Sequence, residues 1–232
     1  MAEATKSGSG ANKGVGFEIC MQLASNGIVV VLTATDEKRG LEALQKLKDS
    51  SLSDLVVFHQ LDVADAAVVV ALADFIRTQF GKLDGLVSLK PTYHFFKHVA
   101  NEWAKEVLID ADNLSEGRID EALSKCQEDL KESSPETKGW PAYLSAHMLS
   151  KAAMNACTRI LAKKVLTFRV NCVCPGFVKT DINYNNGMLS VEEGAANPVR
   201  LALLPNDGPS GCFFDQKEES PFLLNMIPLY RQ

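Results

Sequence analysis

The 232-residue sequence lacks the patterns that mark nucleic acid-binding and membrane proteins. Its net charge of −5 arises from acidic and basic residues mixed along the chain, so it has no basic stripe to match a phosphate backbone. No apolar run approaches the roughly 20 residues of a membrane span, and the polar start MAEATKSGSG lacks the apolar core of a secretory signal. We therefore expect a cytoplasmic protein with no nucleic acid and no membrane among its partners.

The spacing of the cysteines also argues against a disulfide framework. The six cysteines are scattered and form no C-x-x-C pair. We interpret them as reduced thiols, most of which fill the core. The length and the 46% hydrophobic content suit a single α/β domain over residues 1–232.

Predicted strands and helices alternate along the first part of the chain. The β-branched run GIVVVLTAT, the stretch DLVVFHQLDV and the stretch KLDGLVSL each predict a strand, with amphipathic helix between them. Because parallel strands need crossover helices, this alternation predicts a Rossmann-like, doubly wound parallel sheet. The alternation stops at residue 90 and resumes with the helix PAYLSAHMLSKAAMNACTRILAKK and the strands FRVNCVCPG and GCFF.

A glycine-rich turn is the first feature that points to chemistry. Gly10, Gly14 and Gly16 form G-x-x-x-G-x-G ahead of a predicted helix, where free N–H groups and the helix dipole would attract a pyrophosphate. A glycine loop without special purpose is the alternative, which the motif alone does not exclude. The helix and strand downstream favour a nucleotide. The residues before the turn, ATKSGSG, contain no apolar run, so we expect the first strand of the sheet to be missing.

Two further stretches lie where a dinucleotide would need contacts. Asp62 could accept from an adenine amino group and Val63 could pack on the ring, although an Asp ahead of ADAAVVV could instead cap a helix. Thr35 stands where an NAD-preferring site often has a carboxylate. Lys13 and Arg39 are available for a 2′-phosphate, or could be solvated helix-face charges, and the balance favours NADP over NAD.

Several ordered motifs together resemble one family. The chain resembles plant short-chain dehydrogenase/reductases of the menthone reductase and salutaridine reductase type in five stretches. These are GANKGVGFEIC, VVVLTA, LDV, WPAYLSAHMLSKAAMNACTRILAKK and VNCVCPGFVKTDIN. The resemblance implies an NADPH-dependent, typically monomeric carbonyl reductase of terpenoid and alkaloid ketones, with a helical insertion at about residues 101–138. It also implies that the cofactor-binding residues include Asn12, Val15, Pro175, Gly176, Val178 and Thr180.

The resemblance further implies a catalytic Tyr four residues before a Lys, together with a Ser and an Asn. Lys151 is present, but the Tyr position is His147. An imidazole can act as an acid but is shorter than a phenol, so we expect impaired chemistry. Tyr143 lies eight residues before Lys151, about 12 Å along a helix, which is too far to replace it.

The segment between the fourth strand and the insertion also departs from the family. SLKP, residues 88–91, replaces Asn-Asn-Ala-Gly, and too few residues follow for the family's fourth helix and fifth strand. The catalytic Asn and Ser therefore have no counterpart that we can place.

A metal site is the competing interpretation of this segment. Three possible ligands fall at i, i+4 and i+8 and could line one face of a helix. They are His94, His98 and Glu102. Nothing nearby closes the coordination that such sites require, so solvated or partly buried histidines are the better interpretation.

Three hypotheses follow from the sequence. The first is an NADP(H)-dependent reductase with altered chemistry at His147 and Lys151, acting on a small-molecule ketone or alcohol. The second is a catalytically silent homologue that still binds a dinucleotide or a partner. The third is a non-functional product of a truncated gene.

Overall fold

The computed structural model describes residues 5–9, 11–52, 54–88, 101–110, 113–132, 135–140, 145–205 and 207–222. The chain divides into two compact units. The first unit comprises Met1–Lys90 and Pro175–Leu204, and the second comprises Pro91–Cys174 and Pro205–Gln232. The single domain over residues 1–232 stays a prediction.

The first unit is a four-stranded parallel sheet with helices. Its sheet has the order β3-β2-β1-β4, and every pair of neighbouring strands is parallel. The elements are β1 (Thr5–Ser9), α1 (Gly14–Ser25), β2 (Val29–Ala34), α2 (Glu37–Leu47), β3 (Val56–Gln60), α3 (Ala66–Phe80), β4 (Gly85–Ser88) and α7 (Val191–Ala202). Strands separated by helices in this order confirm the predicted Rossmann-like fold.

The expectation that the first strand is missing is wrong. The polar segment TKSGS forms β1 and lies between β2 and β4, with Ser7 in register with Val31 on one side and Leu86 on the other. Strand pairing uses backbone N–H and C=O groups, which every residue here supplies whatever its side chain. Pairing on both sides gives hydrogen-bond partners to backbone groups of β2 and β4. Without β1, these groups would lie on exposed strand edges.

The core of the first unit lies on both faces of this sheet. Val30 and Leu32 of β2 pack with α1, α2 and α7 on one face, whereas Val31 packs with α3 on the other. All six residues of β2 are buried. This burial explains the continuous apolar run, because a parallel strand is covered on both faces.

The second unit combines three helices with a small sheet. The helices are α4 (Glu102–Ile109), α5 (Glu116–Lys131) and α6 (Ser145–Lys164), and the strands β5 (Cys172–Cys174), β6 (Phe213–Asp215) and β7 (Glu218–Ser220) pair in that order. Helices α4 and α5 fall within the helical insertion predicted at about residues 101–138. Apolar residues of α4, α5 and α6 form one buried cluster around Trp140.

The stretch between β4 and α4 bears on the predicted loss of a fourth helix and fifth strand. Residues 89–100 fall outside the described part of the chain, and α4 follows as the next described element. No described helix is long and apolar enough to cross a membrane.

Candidate functional site

The glycine turn lies at the carboxyl edge of the first unit's sheet. It follows β1 directly, and the Ala11 amide donates to the Thr33 carbonyl oxygen of β2 at 3.0 Å. Gly14 begins α1 with φ +56°, a left-handed conformation that favours glycine, and Gly16 is buried in the first turn of the helix. Gly10 lies outside the described residues, and Asn12 is half-buried. The carboxyl edge at which this turn lies is where ligands bind in open parallel sheets.

The start of α1 has no side-chain cap. Lys13 is the N-cap residue but makes no capping hydrogen bond, and the first turn carries no acidic residue. By contrast, the N-cap side chains of α2, α3, α4, α5 and α7 each accept a hydrogen bond from a backbone amide of their own helix. These N-cap residues are Asp36, Asp65, Asn101, Ser115 and Ser190 respectively. Lys13 thus supplies no acceptor to the amides that open α1, and the start of a helix is a place that favours an anion.

A second loop, Pro175 to Asp181, meets the glycine turn within the first unit. A Cβ placed on Gly14 would lie 3.8 Å from Thr180 Cγ2, which is ordinary van der Waals contact. Lys13 Nζ lies 3.4 Å from Asp181 Oδ2, and the two side chains are 66% and 75% exposed. Two segments that are far apart in sequence therefore flank one position at the edge of the sheet.

Side-chain amides hold this second loop in shape. Asn183 donates from Nδ2 to the Val178 carbonyl oxygen at 2.8 Å and accepts at Oδ1 from the Thr180 amide at 3.0 Å. Asn197 of α7 donates to the Pro175 carbonyl oxygen at 3.3 Å. Val178 is buried, so the loop is held at Val178 as well as at Pro175 and Thr180.

The residues predicted to contact the adenosine lie at the same edge but are exposed. Thr35 follows β2, and its carbonyl oxygen accepts from Gln60 Nε2 at 2.8 Å. Asp62 and Val63 follow β3, with Val63 60% exposed. The alternative that Asp62 caps the next helix is wrong, because Asp65 is the N-cap of α3 and Asp62 accepts instead from the Ala64 amide at 2.9 Å.

The two predicted catalytic positions lie on α6 of the second unit. The backbone places position 147 four residues, or about 6 Å along the axis, before Lys151. The side chain of His147 is outside the described part of the structure, whereas Lys151 is buried, with 5% of its surface exposed. Asn155, one turn further, is equally buried, and its Oδ1 accepts no hydrogen bond from the residues that the structure describes.

The metal alternative gains no support. Among the described residues, no group of three or more His, Cys, Asp or Glu side chains is placed to hold a metal ion. His94 and His98 lie outside those residues, and Glu102 is in the first turn of α4, where Lys105 donates to it at 2.9 Å.

Sequence reasoning missed three residues that shape the second loop. Asp181 reaches Lys13, Asn183 fixes the loop backbone, and Gly187 packs where a Cβ would lie 2.2 Å from Lys179 N. The spacing of Thr180 and Asn183 resembles a capping box and could have indicated the second of them. The other two depend on contacts between segments, which no local pattern reports.

A parallel sheet in the order β3-β2-β1-β4, with a glycine turn after β1, defines a Rossmann-type α/β protein. Comparisons with known proteins specify this class. A family model described as short chain dehydrogenase matches residues 9–89, and one described as Enoyl-(Acyl carrier protein) reductase matches residues 130–204. The chain is 44% identical to (+)-neomenthol dehydrogenase of Arabidopsis thaliana, covering 92% of this chain and 96% of the relative. The chain therefore belongs to the short-chain dehydrogenase/reductase family.

Further relatives are plant reductases. Salutaridine reductase of Papaver somniferum is 40% identical, over 92% of this chain and 94% of the relative. Its solved structure is 38% identical with a TM-score of 0.87, and covers 92% of this chain and 99% of that chain. The structure of menthone neomenthol reductase from Mentha piperita is 33% identical with a TM-score of 0.84, at 94% and 100% coverage.

The length of one alignment bears on the missing segments. The match to (+)-neomenthol dehydrogenase spans 285 positions but covers only 92% of this chain, which is about 213 of its 232 residues. Gaps on the side of this chain must make up the difference. The relative thus carries segments without a counterpart here, as the family resemblance predicted.

Proposed function

We propose that this chain is an NADP(H)-dependent oxidoreductase that transfers a hydride between NADPH and a ketone or alcohol of a terpenoid- or alkaloid-like small molecule, and that its turnover is impaired. We further propose that it acts as a cytoplasmic monomer. The observation that carries the proposal is the meeting of the glycine turn and the second loop at Gly14 and Thr180. The family resemblance assigns these two segments to the diphosphate and to the nicotinamide carboxamide of one dinucleotide.

The residues present fit such a cofactor. The uncapped amides at the start of α1 suit a diphosphate, and exposed Lys13 and Arg39 suit a 2′-phosphate. Asp62 and Val63 would contact the adenine. By family resemblance, the loop from Pro175 to Thr180 would hold the carboxamide of the nicotinamide. When bound, the cofactor supplies the hydride.

Residues of α6 would carry out the proton transfer. Lys151 would hold the nicotinamide ribose and lower the pKa of the neighbouring acid, and His147 would donate a proton to the oxygen of the substrate. Because an imidazole is shorter than the phenol that it replaces, we expect the proton donor to lie too far from the oxygen. The family's Ser and Asn have no counterpart that can be placed, which further lowers the expected rate.

Thermal melting of the purified chain with and without NADPH tests the cofactor step. A ligand at about 100 times its Kd stabilises the folded state by about 2.7 kcal/mol, which for a chain of this size raises the midpoint by about 5–11 °C. NADH at the same concentration should shift it less. A cooperative melt whose midpoint does not change with NADPH would refute the proposal. It would favour the hypothesis that the chain is a non-functional product of a truncated gene.

Turnover of a ketone such as menthone tests the chemical step. We expect slow NADPH oxidation by the native chain and faster oxidation by His147→Tyr. If both proteins shift with NADPH but neither oxidises it with any ketone of a panel, the chain is the catalytically silent, dinucleotide-binding homologue. The length of the alignment with (+)-neomenthol dehydrogenase favours that second candidate.

A further inference from the structure

Asp181 brings a negative charge to the glycine turn. Its Oδ2 lies 3.4 Å from Nζ of Lys13, the residue that ends the turn and precedes α1. No acidic residue lies in the first turn of α1. The carboxylate of Asp181 therefore comes from a distant segment of the chain to a place whose backbone amides favour an anion.

The backbone around Asp181 is fixed by its neighbours. Asp181 opens a short 3-10 turn, Asp181–Asn183, in which the Asn183 amide donates to the Thr180 carbonyl oxygen at 3.2 Å. The Asn185 amide donates to the same oxygen at 2.9 Å. Asn183 also holds the Thr180 amide and the Val178 carbonyl oxygen through its side chain. Because its backbone is held in this way, Asp181 can move only its side chain when the ion pair opens.

We propose that Asp181 is a specificity-determining residue that competes with the cofactor's phosphate for Lys13. The proposal rests on the proposed function, because it concerns the same site. A 2′-phosphate that binds the Lys13 ammonium must take the ammonium from the Asp181 carboxylate, which stays nearby as an unfavourable like charge. Asp181 thereby weakens binding of the 2′-phosphate, and with it the binding of NADPH.

Its removal should consequently tighten binding. Asp181→Asn keeps the size of the side chain and removes the charge, so Lys13 becomes free for phosphate. Because the pair is exposed, the gain should be modest, about 1.5-fold to 5-fold in the Kd for NADPH. NADH, which lacks the 2′-phosphate, should gain less. The gain should fade as the Debye length falls from ~30 Å at 0.01 M salt to ~3 Å at 1 M.

A matched control and a second background isolate the effect. Asp74→Asn removes the same charge from another exposed ion pair of the first unit, that with Arg77 on α3 at 2.9 Å, and should leave the Kd unchanged. In a Lys13→Met background, Asp181→Asn should tighten NADPH less than in the native chain, because the ammonium for which the two anions compete is absent. Titration of each protein with NADPH and with NADH gives all these constants.

The outcomes separate this proposal from the proposed function. If the native chain binds NADPH and Asp181→Asn binds it equally or more weakly, the competition is overturned while the cofactor site stands. An equal gain in Asp74→Asn would also overturn it, since a general charge effect would then suffice. If neither the native chain nor any variant binds NADPH or NADH, the proposed function fails and the proposed competition fails with it.

Discussion

Gly187→Ala tests how the second loop of the candidate site is held. A Cβ at position 187 would lie 2.2 Å from both Lys179 N and Val178 C, and 2.6 Å from Val178 O. Ordinary contacts begin near 3.4 Å. The two segments would therefore have to separate by about 1 Å, and the atoms in the way are backbone atoms that cannot rotate aside.

The separation would break the hydrogen bonds that join these segments. The Met188 and Leu189 amides donate to the Phe177 carbonyl oxygen at 2.7 and 3.0 Å, and the Lys179 amide donates to the Leu189 carbonyl oxygen at 2.9 Å. Each such bond contributes about 0.5–1.5 kcal/mol. Losing two or three of them lowers the free energy of unfolding by about 1–4.5 kcal/mol, which corresponds to a midpoint lower by about 2–18 °C.

Thermal melting followed by circular dichroism measures this effect. The matched control is Gly117→Ala on α5, where a Cβ meets nothing within 4 Å; there we expect no loss, or a gain of up to about 1 kcal/mol. The NADPH-dependent shift should also shrink in Gly187→Ala, because the displaced loop carries Thr180. A variant that melts within about 1 °C of the native chain would refute the close approach of these two segments.

The other predictions concern the supporting structure. Gly40→Ala should destabilise the first unit, because a Cβ there would lie 2.1 Å from the ring of Phe58, and denaturant unfolding measures the loss. A hydrogen bond from Lys138 is the main cause that holds the pKa of Asp129 far below its ordinary value. This stabilisation is present above about pH 4 and is lost as the pH falls further, so Asp129→Asn should flatten the acid side of a stability profile. Burial raises the pKa of Cys20 to about 12, so a thiol reagent at neutral pH should label it only after unfolding.

The fold was predictable where apolar runs mark buried strands. β2 lies within a predicted stretch because a strand covered on both faces needs a continuous run of apolar residues, and β3 lies within another because its first three residues, VVF, are apolar. β1 was missed for the same reason, since TKSGS has no such run. Its place is determined by two neighbouring strands whose backbone groups need partners, and that requirement is invisible in any local window.

The candidate site was predictable in its parts but not in its assembly. The glycine turn and the stretch PGFVKT each have a recognisable composition, because sharp turns and close backbone approach need glycine. That Gly14 and Thr180 meet depends on tertiary packing of segments more than 160 residues apart in the chain. The ion pair between Lys13 and Asp181 depends on the same packing and could not be predicted from spacing.

Under the proposed function, the segments without counterparts in this chain should affect cofactor binding and turnover unequally. The two family models match residues 9–89 and 130–204 and leave residues 90–129 between them. The first range contains the glycine turn but only the last residue of β1, the strand before it. The second range contains α6 and the Pro175 to Thr180 loop. The family resemblance would put the catalytic Asn and Ser in the stretch between the ranges, so under the proposed function we expect cofactor binding to survive better than turnover. A His147→Tyr variant that binds NADPH and stays inactive would therefore place the fault in that stretch, whereas a recovered rate would place it at position 147 alone.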